Sequence, residues 1–413
     1  MAIKYRHRVL GFLTLLAVIT YLDRVAISIA GPRIQESLQL RPESWGWVVG
    51  IFQFSYCVFE IPSGHWGDRF GPRRMLTRIV LSWSAFTALT GLATSLPYLL
   101  FIRFCFGIGE AGAFPNMSIC LSRWFPVVER ARAMGYILMA SQLGSAMAPF
   151  LIVPLQIRYG WRVAFFVLGA IGVLWCIPWY RWYRDRPTEM PAVPAEELEE
   201  IGETPPPEHR PLPWRAAIRS GNLGAIMLVA FCFFFGFYFF LSWLHTFLVK
   251  GRGFTEGELL LSTIPPVMGA LGNIAGGYSS DLMVRRFGLK WGRRALGMGA
   301  LSLASLFMLL AIVSRGKLTT LILLGLVYAA ITFQQTVINT VVIDVGGKHV
   351  GAAWGALNTA AQAGGFAFSV TFGYLVTYFG SYNLALVPVA AMFALGAVGW
   401  LWIDATRPIV DEA

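Results

Sequence analysis

The sequence predicts an all-α integral membrane protein: twelve transmembrane helices arranged as two six-helix bundles, with N- and C-termini both cytoplasmic. Three observations carry this. The chain is 56% hydrophobic and 13% charged, with a mean hydropathy of +0.61, so it holds about half the charge of a soluble domain. Apolar runs of about 20 residues, the length that crosses a hydrocarbon core, recur throughout. Basic residues gather in alternate joints between those runs.

The runs of the first half fall at roughly 8–30, 45–64, 75–95, 98–119, 131–153 and 161–181, and those of the second at roughly 221–248, 258–280, 294–314, 319–343, 350–377 and 381–403. Each must be helical, because a backbone in lipid has to satisfy its own polar groups. The opening "MAIKYRHRVLGFLTLLAVITYLDR" resembles a signal peptide, but it lacks a small-x-small cleavage site and runs on into "VAISIA", so it reads as the first span. One set of joints holds Lys4, Arg6 and Arg8, then Arg69, Arg73, Arg74 and Arg78, then Arg123, Arg130 and Arg132, then Arg285, Arg286, Arg293 and Arg294. The opposite joints are sparser: "TSLP" and "TYFGSYN" carry no charge and "SRGK" only two. That alternation puts both termini in the cytoplasm; Arg158 and Arg162 are its exceptions.

Between the sixth and seventh runs lies "RDRPTEMPAVPAEELEEIGETPPPEHRPLPWR", rich in proline and glutamate and too polar to span. It divides the chain into a bundle at 1–181, a cytoplasmic linker at 182–220 and a bundle at 221–413. "PAEELEEI" can form a short surface helix within an otherwise solvated segment. The halves also repeat: "GHWGDRFGPRR" follows the second run, and "GGYSSDLMVRRFG" with "WGRR" follows the eighth.

The net charge of +11 follows from this topology and does not point to nucleic acid. Cys57, Cys105, Cys120, Cys176 and Cys232 all fall in apolar runs without metal-ligand spacing, so they read as small packing residues. No metal site is expected. No H-E-x-x-H, Ser–His nucleophile or paired catalytic aspartates occur, which argues against an enzyme.

Charges inside spans are costly and usually functional. The first run carries Asp23 and Arg24, about 100° apart around a helix; the fourth, "RFCFGIGEAGAFPN", carries Arg103 and Glu110 on one face, two turns apart. The G-x-G-x-x-G within that stretch is accidental, because a dinucleotide loop needs a preceding strand and an exposed helix start. Its glycines read as sites of close helix packing within one continuous span. A buried carboxylate beside a guanidinium is a candidate proton site. The alternative reading of the same four residues is a static ion-pair network.

"GHWGDRFGPRR" resembles the loop 2–3 signature of the major facilitator superfamily. "YLDRVAISIAGPRI", "FEIPSGHWGDRFGPRR", "RFCFGIGEAGAFPN" and "SRWFPVVERARAMG" together resemble its anion:cation symporter family, which includes sugar-acid/H⁺ symporters and the sialin and vesicular glutamate transporters. The resemblance covers essentially the whole chain. It implies proton-coupled symport of a small organic anion, a carboxylate, by alternating access in a multi-pass cell membrane protein, bacterial inner or plasma membrane, acting as a monomer. Protons would be the coupling ion, with no other cofactor. By that resemblance Asp23 and Glu110 carry the protons and Arg24 holds the substrate carboxylate. Arg103 pairs with the acids, and Tyr56, Gln142 and Asn358 contact the substrate. A proton-independent exchanger or facilitator, or a non-transporting sensor, is the alternative.

Further polar groups extend this set. Gln334, Gln335 and Asn339 lie at helical spacing in "AITFQQTVINTVV", and Gln335 joins the binding residues; the tryptophan that sugar-acid relatives carry there is missing. Glu60 and His245 ("SWLHTFL") join Arg103 as a charge network. The gating loops are expected to use Asp68, Arg69, Arg73 and Arg74 in the first half and Asp281, Arg285 and Arg286 in the second. The aromatic run "FCFFFGFYFF" can line a pocket or face lipid.

Overall fold

The computed structural model describes residues 4–202, 220–346 and 350–409, and all the regular structure among them is helical. Nine helices are long and apolar enough to cross a membrane among the described residues: Tyr5–Ser37, Leu96–Trp124, Arg132–Tyr159, Trp161–Trp182, Gly221–Gly251, Gly257–Ser280, Leu282–Val313, Lys317–Gly346 and Leu384–Trp402. Three more long helices, Pro42–Phe70, Pro72–Thr90 and Val350–Phe379, stand where the sequence places the second, third and eleventh runs. Pro72–Thr90 is less apolar because Arg73, Arg74 and Arg78 occupy its first two turns. The chain is a multi-pass membrane protein.

The helices form two compact units, one of residues 1–40 and 51–207, the other of residues 41–50 and 208–413. In the first unit we label α1 (Tyr5–Ser37), α2 (Pro42–Phe70, of which residues 51–70 belong to this unit), α3 (Pro72–Thr90), α4 (Leu96–Glu110), α5 (Ala113–Trp124), α6 (Val127–Tyr159), α7 (Trp161–Trp182) and α8 (Ala195–Ile201). α1 packs chiefly on α6, and α3 on α7. An aromatic ladder anchors the core: Trp175 stacks on Trp179 at 5.0 Å between centroids, and Trp179 on Tyr183 at 4.0 Å.

The fourth run differs from the continuous helix expected of it. α4 ends at Glu110, Ala111 is extended, and Gly112 adopts φ +87°, a left-handed conformation that restarts the chain as α5. A Cβ at 112 would also strike the Ser63 side chain. Gly112 therefore fixes the break between the two helices, because glycine takes this conformation without strain. Gly107 and Gly109 are close-packing sites: a Cβ at 107 would meet Ser55 and, at 2.6 Å, the Phe52 carbonyl, and one at 109 would lie 3.2 Å from the Trp83 amide nitrogen.

The linker is not simply solvated. Met190 and Val193 are buried against the first-unit core, and α8 docks on the start of α1. Lys4, the residue before α1, supplies no side-chain cap; instead the Glu197 carboxylate accepts from the Tyr5 amide at 3.0 Å and the Arg6 amide at 2.9 Å. Glu200 binds Lys4 at 2.5 Å and Arg6 at 2.7 Å, and Glu129 binds Arg6 at 3.3 Å. A carboxylate at a helix start satisfies free amides and complements the helix dipole. Glu197→Ala should cost about 2 kcal/mol, read as a lower unfolding midpoint of the purified protein. Unchanged stability would show that α8 is not a cap.

In the second unit we label α9 (Gly221–Gly251), α10 (Ile264–Val313), α11 (Lys317–Gly346), α12 (Val350–Phe379) and α13 (Val387–Gly399). α10 holds two spans that meet at Gly288, φ +74°. The aromatic run of α9 neither faces lipid nor lines an open pocket as a whole: Phe233, Phe235, Phe237, Tyr238, Phe239 and Phe240 are buried, packing with Tyr328, Phe368 and Phe372. Two π-helical stretches, Phe239–Trp243 and Phe247–Gly251, interrupt this helix.

Candidate functional site

The ionisable residues of the first and fourth runs meet inside the first unit. Asp23, Arg103 and Glu110 are 3%, 3% and 1% exposed. The close approach of α4 to α2 at Gly107, and to α3 at Gly109, brings Glu110 within reach of α1. There the Arg24 Nε donates to Glu110 Oε1, closing an ion pair. Oε2 of Glu110 is buried without a hydrogen-bond partner.

Aromatic rings surround both guanidiniums. The Arg24 guanidinium lies 4.8 Å from the ring centroid of Tyr56, 5.4 Å from Tyr21 and 5.7 Å from Phe52. That of Arg103 lies 4.9 Å from Phe52 and 4.8 Å from Phe106. Arg24, not Arg103, makes the hydrogen-bonded pair with Glu110. Arg103 acts on Asp23 and Glu110 through its charge and is held by ring faces, a favourable setting for a desolvated guanidinium.

Asp23 turns toward α3 and α4. The Trp83 indole and the Arg103 charge act on its carboxylate, yet neither carboxylate oxygen nor Trp83 Nε1 closes a full hydrogen bond. Trp83, wholly buried, was not among the residues singled out from sequence. A tryptophan in an apolar run carries no signal of its own there; only the fold sets its N–H beside an acid.

The remaining candidates are distributed over both units. Gln142 is buried in α6, and Glu60 is half-buried in α2, one turn past Tyr56, on which its charge acts. Gln335 on α11 and Asn358 on α12 are half-buried in the second unit. Gln334 is fully buried, with both amide atoms unpartnered. His245 also lies in the second unit, with Nε2 2.9 Å from Ser262 Oγ. Because Ser262 Oγ donates to the Leu259 carbonyl at 2.6 Å, it accepts from the ring, which fixes the proton on Nε2. Among the described residues, no group of His, Cys, Asp or Glu is placed to hold a metal.

The gating-loop candidates differ in their surroundings. The side chains of Asp68 and Asp281 lie outside the described residues. Arg69, Arg74, Arg285 and Arg286 are exposed. Arg73 is engaged: its guanidinium donates to the Tyr180 carbonyl at 2.6 and 3.0 Å, and its amide donates to Asp185 at 2.8 Å. Burial pushes the Asp185 carboxyl up, against the pull of the Arg73 amide and the Arg123 charge. In the second unit this part falls to Arg294, which donates to the Ile403 carbonyl at 2.8 and 3.1 Å. Asp404 there pairs with Lys290 at 2.8 Å. Each half thus ends on an aspartate, with an arginine bonding the carbonyl at the end of its last span. The signal was present in "RDRP" and "IDATRP", near matching points of the two halves.

Comparison with known proteins gives the family. The chain is 34% identical to a probable sulfoacetate transporter of Cupriavidus necator over 97% of its length and 94% of that protein. It is 29% identical to a hexuronate transporter of Bacillus subtilis, covering 99% and 96% of the two chains. It is 28% identical to a probable galactarate/D-glucarate transporter of Escherichia coli, covering 96% and 94%. A solved structure of a bacterial homologue of the lysosomal transporter Spinster, inward-facing and unoccupied, has the same fold, with TM-score 0.75 over 98% of this chain and 95% of that one at 19% identity. Residues 13–369 match the family model of the Major Facilitator Superfamily, whose members here are transporters and not enzymes. The chain belongs to the Major Facilitator Superfamily.

Proposed function

We propose that this protein is a secondary active transporter that carries a small organic anion together with protons, through twelve spans, by alternating access. The observation that carries the reading is the Arg24–Glu110 pair beside Asp23 and Arg103. With both acids ionised, the cluster holds two negative and two positive charges and is neutral. Low-dielectric surroundings penalise any net charge strongly. A monoanion entering on Arg24 competes with Glu110 for the same guanidinium and adds one negative charge. Protonation of Glu110, at Oε2 or at the oxygen released by Arg24, restores neutrality. Substrate and proton are then bound together and lost together.

Arg24 is the anion-binding group in this scheme, since a guanidinium takes a carboxylate or sulfonate through paired N–H donors. The Tyr56 ring borders it in the first unit, and Gln142 is proposed as a further substrate contact there. Gln335 and Asn358 are the binding residues proposed within the second unit. Asp23 is the second proton site, under the charge of Arg103 and facing Trp83, and would serve a dianionic substrate. The relatives named above make sulfoacetate the first compound to try, with hexuronates and glucarate next. The missing tenth-span tryptophan favours the smaller anion.

Proteoliposomes loaded at pH 8 and diluted into buffer at pH 6 should accumulate labelled sulfoacetate or glucarate several-fold above equilibrium. Dissipating the pH difference with an ionophore should remove the accumulation. Uptake indifferent to the pH difference, with brisk counterflow, would make the protein an exchanger.

A further inference from the structure

We propose that the arginine-rich end of the first unit carries a binding site for an anionic phospholipid, between the start of α1 and the end of α7. Arg8, Phe12, Pro178, Arg181 and Trp182 line an open groove of about 590 Å³ there. Its wall is aromatic: Trp182 stacks on Tyr5 at 6.4 Å and on Phe12 at 5.4 Å between centroids. The Arg8 guanidinium lies 4.7 Å from the Tyr5 ring centroid.

Charge makes the site selective. Lys4 and Arg6 are neutralised by Glu200 and Glu129. Arg8 and Arg181 are exposed and have no carboxylate within ion-pair distance among the described residues. Two adjacent unpaired guanidiniums at a helix end are suited to a phosphodiester.

The apolar surface selects a lipid over a free anion. Leu15 on α1 lies two turns from Arg8, and Leu174 and Ile177 on α7 lie two turns and one turn from Arg181; all three are exposed. A Cβ at Gly11 would meet nothing, so the face between Arg8 and Leu15 is smooth. From the arginines, near the start of α1 and the end of α7, both stripes run into their spans. A diacyl phospholipid fits this pattern, with its phosphate on Arg8 and Arg181 and its chains along Phe12, Pro178 and the leucines. Aromatic residues at such ends suit the interfacial zone.

The test is a thermal-shift titration of the purified protein in neutral detergent. Dioleoylphosphatidylglycerol at ten-fold excess over its Kd should raise the unfolding midpoint by roughly 2 °C, and dioleoylphosphatidylcholine should not. Arg8→Gln/Arg181→Gln should lose the rise, whereas Arg158→Gln/Arg315→Gln, with the same charge removed from exposed positions elsewhere, should keep it. Arg8→Lys/Arg181→Lys preserves the topological charge and should retain part of it. An undiminished rise in Arg8→Gln/Arg181→Gln overturns the proposal. So does an equal rise from inorganic phosphate, which would mark an anion site without lipid preference. If the double variant cannot be purified, each single Gln variant is measured against its own Arg158→Gln control, and full retention in both is equally fatal.

Discussion

With a monoanionic substrate such as a hexuronate, Glu110→Gln is expected to abolish pH-gradient-driven accumulation while leaving substrate counterflow intact. The reason is charge. In the wild-type cluster, Asp23, Glu110, Arg24 and Arg103 sum to zero when both acids are ionised, and three of the four are 1–3% exposed. A neutral glutamine leaves one net positive charge, which a monoanion alone neutralises. No proton is then required for binding, and none is carried. Glutamine also gives up the charged hydrogen bond by which Glu110 occupies Arg24. Losing that competitor should tighten substrate binding roughly ten-fold, the equivalent of about 1.4 kcal/mol and near the lower edge of charge-assisted hydrogen bonds. Two measurements on one preparation check this: equilibrium binding at pH 6 and pH 8, which should differ in wild type and coincide in the variant, and uptake with and without an imposed pH difference. Accumulation that still follows the pH difference in Glu110→Gln would remove Glu110 from coupling.

The membrane class, the helices and the residues that meet at the cluster were legible in the sequence because each rests on short-range rules. Bilayer thickness fixes run length, and the cost of a charge in hydrocarbon marks Asp23, Arg24, Arg103 and Glu110 as residues that must find one another. Their pairing was not legible. Arg103 and Glu110 share a helix face, which suggested a bond between them; the packing at Gly107 and Gly109 instead carries Glu110 to Arg24 and leaves Arg103 among rings. The break after Glu110 was hidden for a similar reason. Gly112 looks like Gly107 and Gly109 in sequence, and only its left-handed φ separates a helix break from a packing site. The docked linker helix was missed because glutamates in a polar segment read as solvated, and the amides that Glu197 caps belong to a helix start 191 residues away.

Arg24→Lys should weaken anion binding roughly 10–100-fold with little loss of stability. Lysine keeps the positive charge, so Glu110 remains compensated and the fold is spared an unpaired buried acid. It lacks the planar fork that can hold Glu110 through one nitrogen and present others to a substrate anion, which removes about 1.5–3 kcal/mol of charge-assisted bonding. Arg24→Ala separates the structural part of the pair from its binding part. Alone it strands Glu110 and should cost about 3–5 kcal/mol of stability. Combined with Glu110→Ala, most of that cost should return, since neither half of the pair is then left buried, but binding should not. A static ion-pair network makes a different forecast: Arg24→Lys would bind normally, and Arg24→Ala/Glu110→Ala would transport once its stability recovered. Because stability and binding move together under one reading and apart under the other, unfolding midpoints and substrate affinities measured across these three variants decide between a lock and a carrier site.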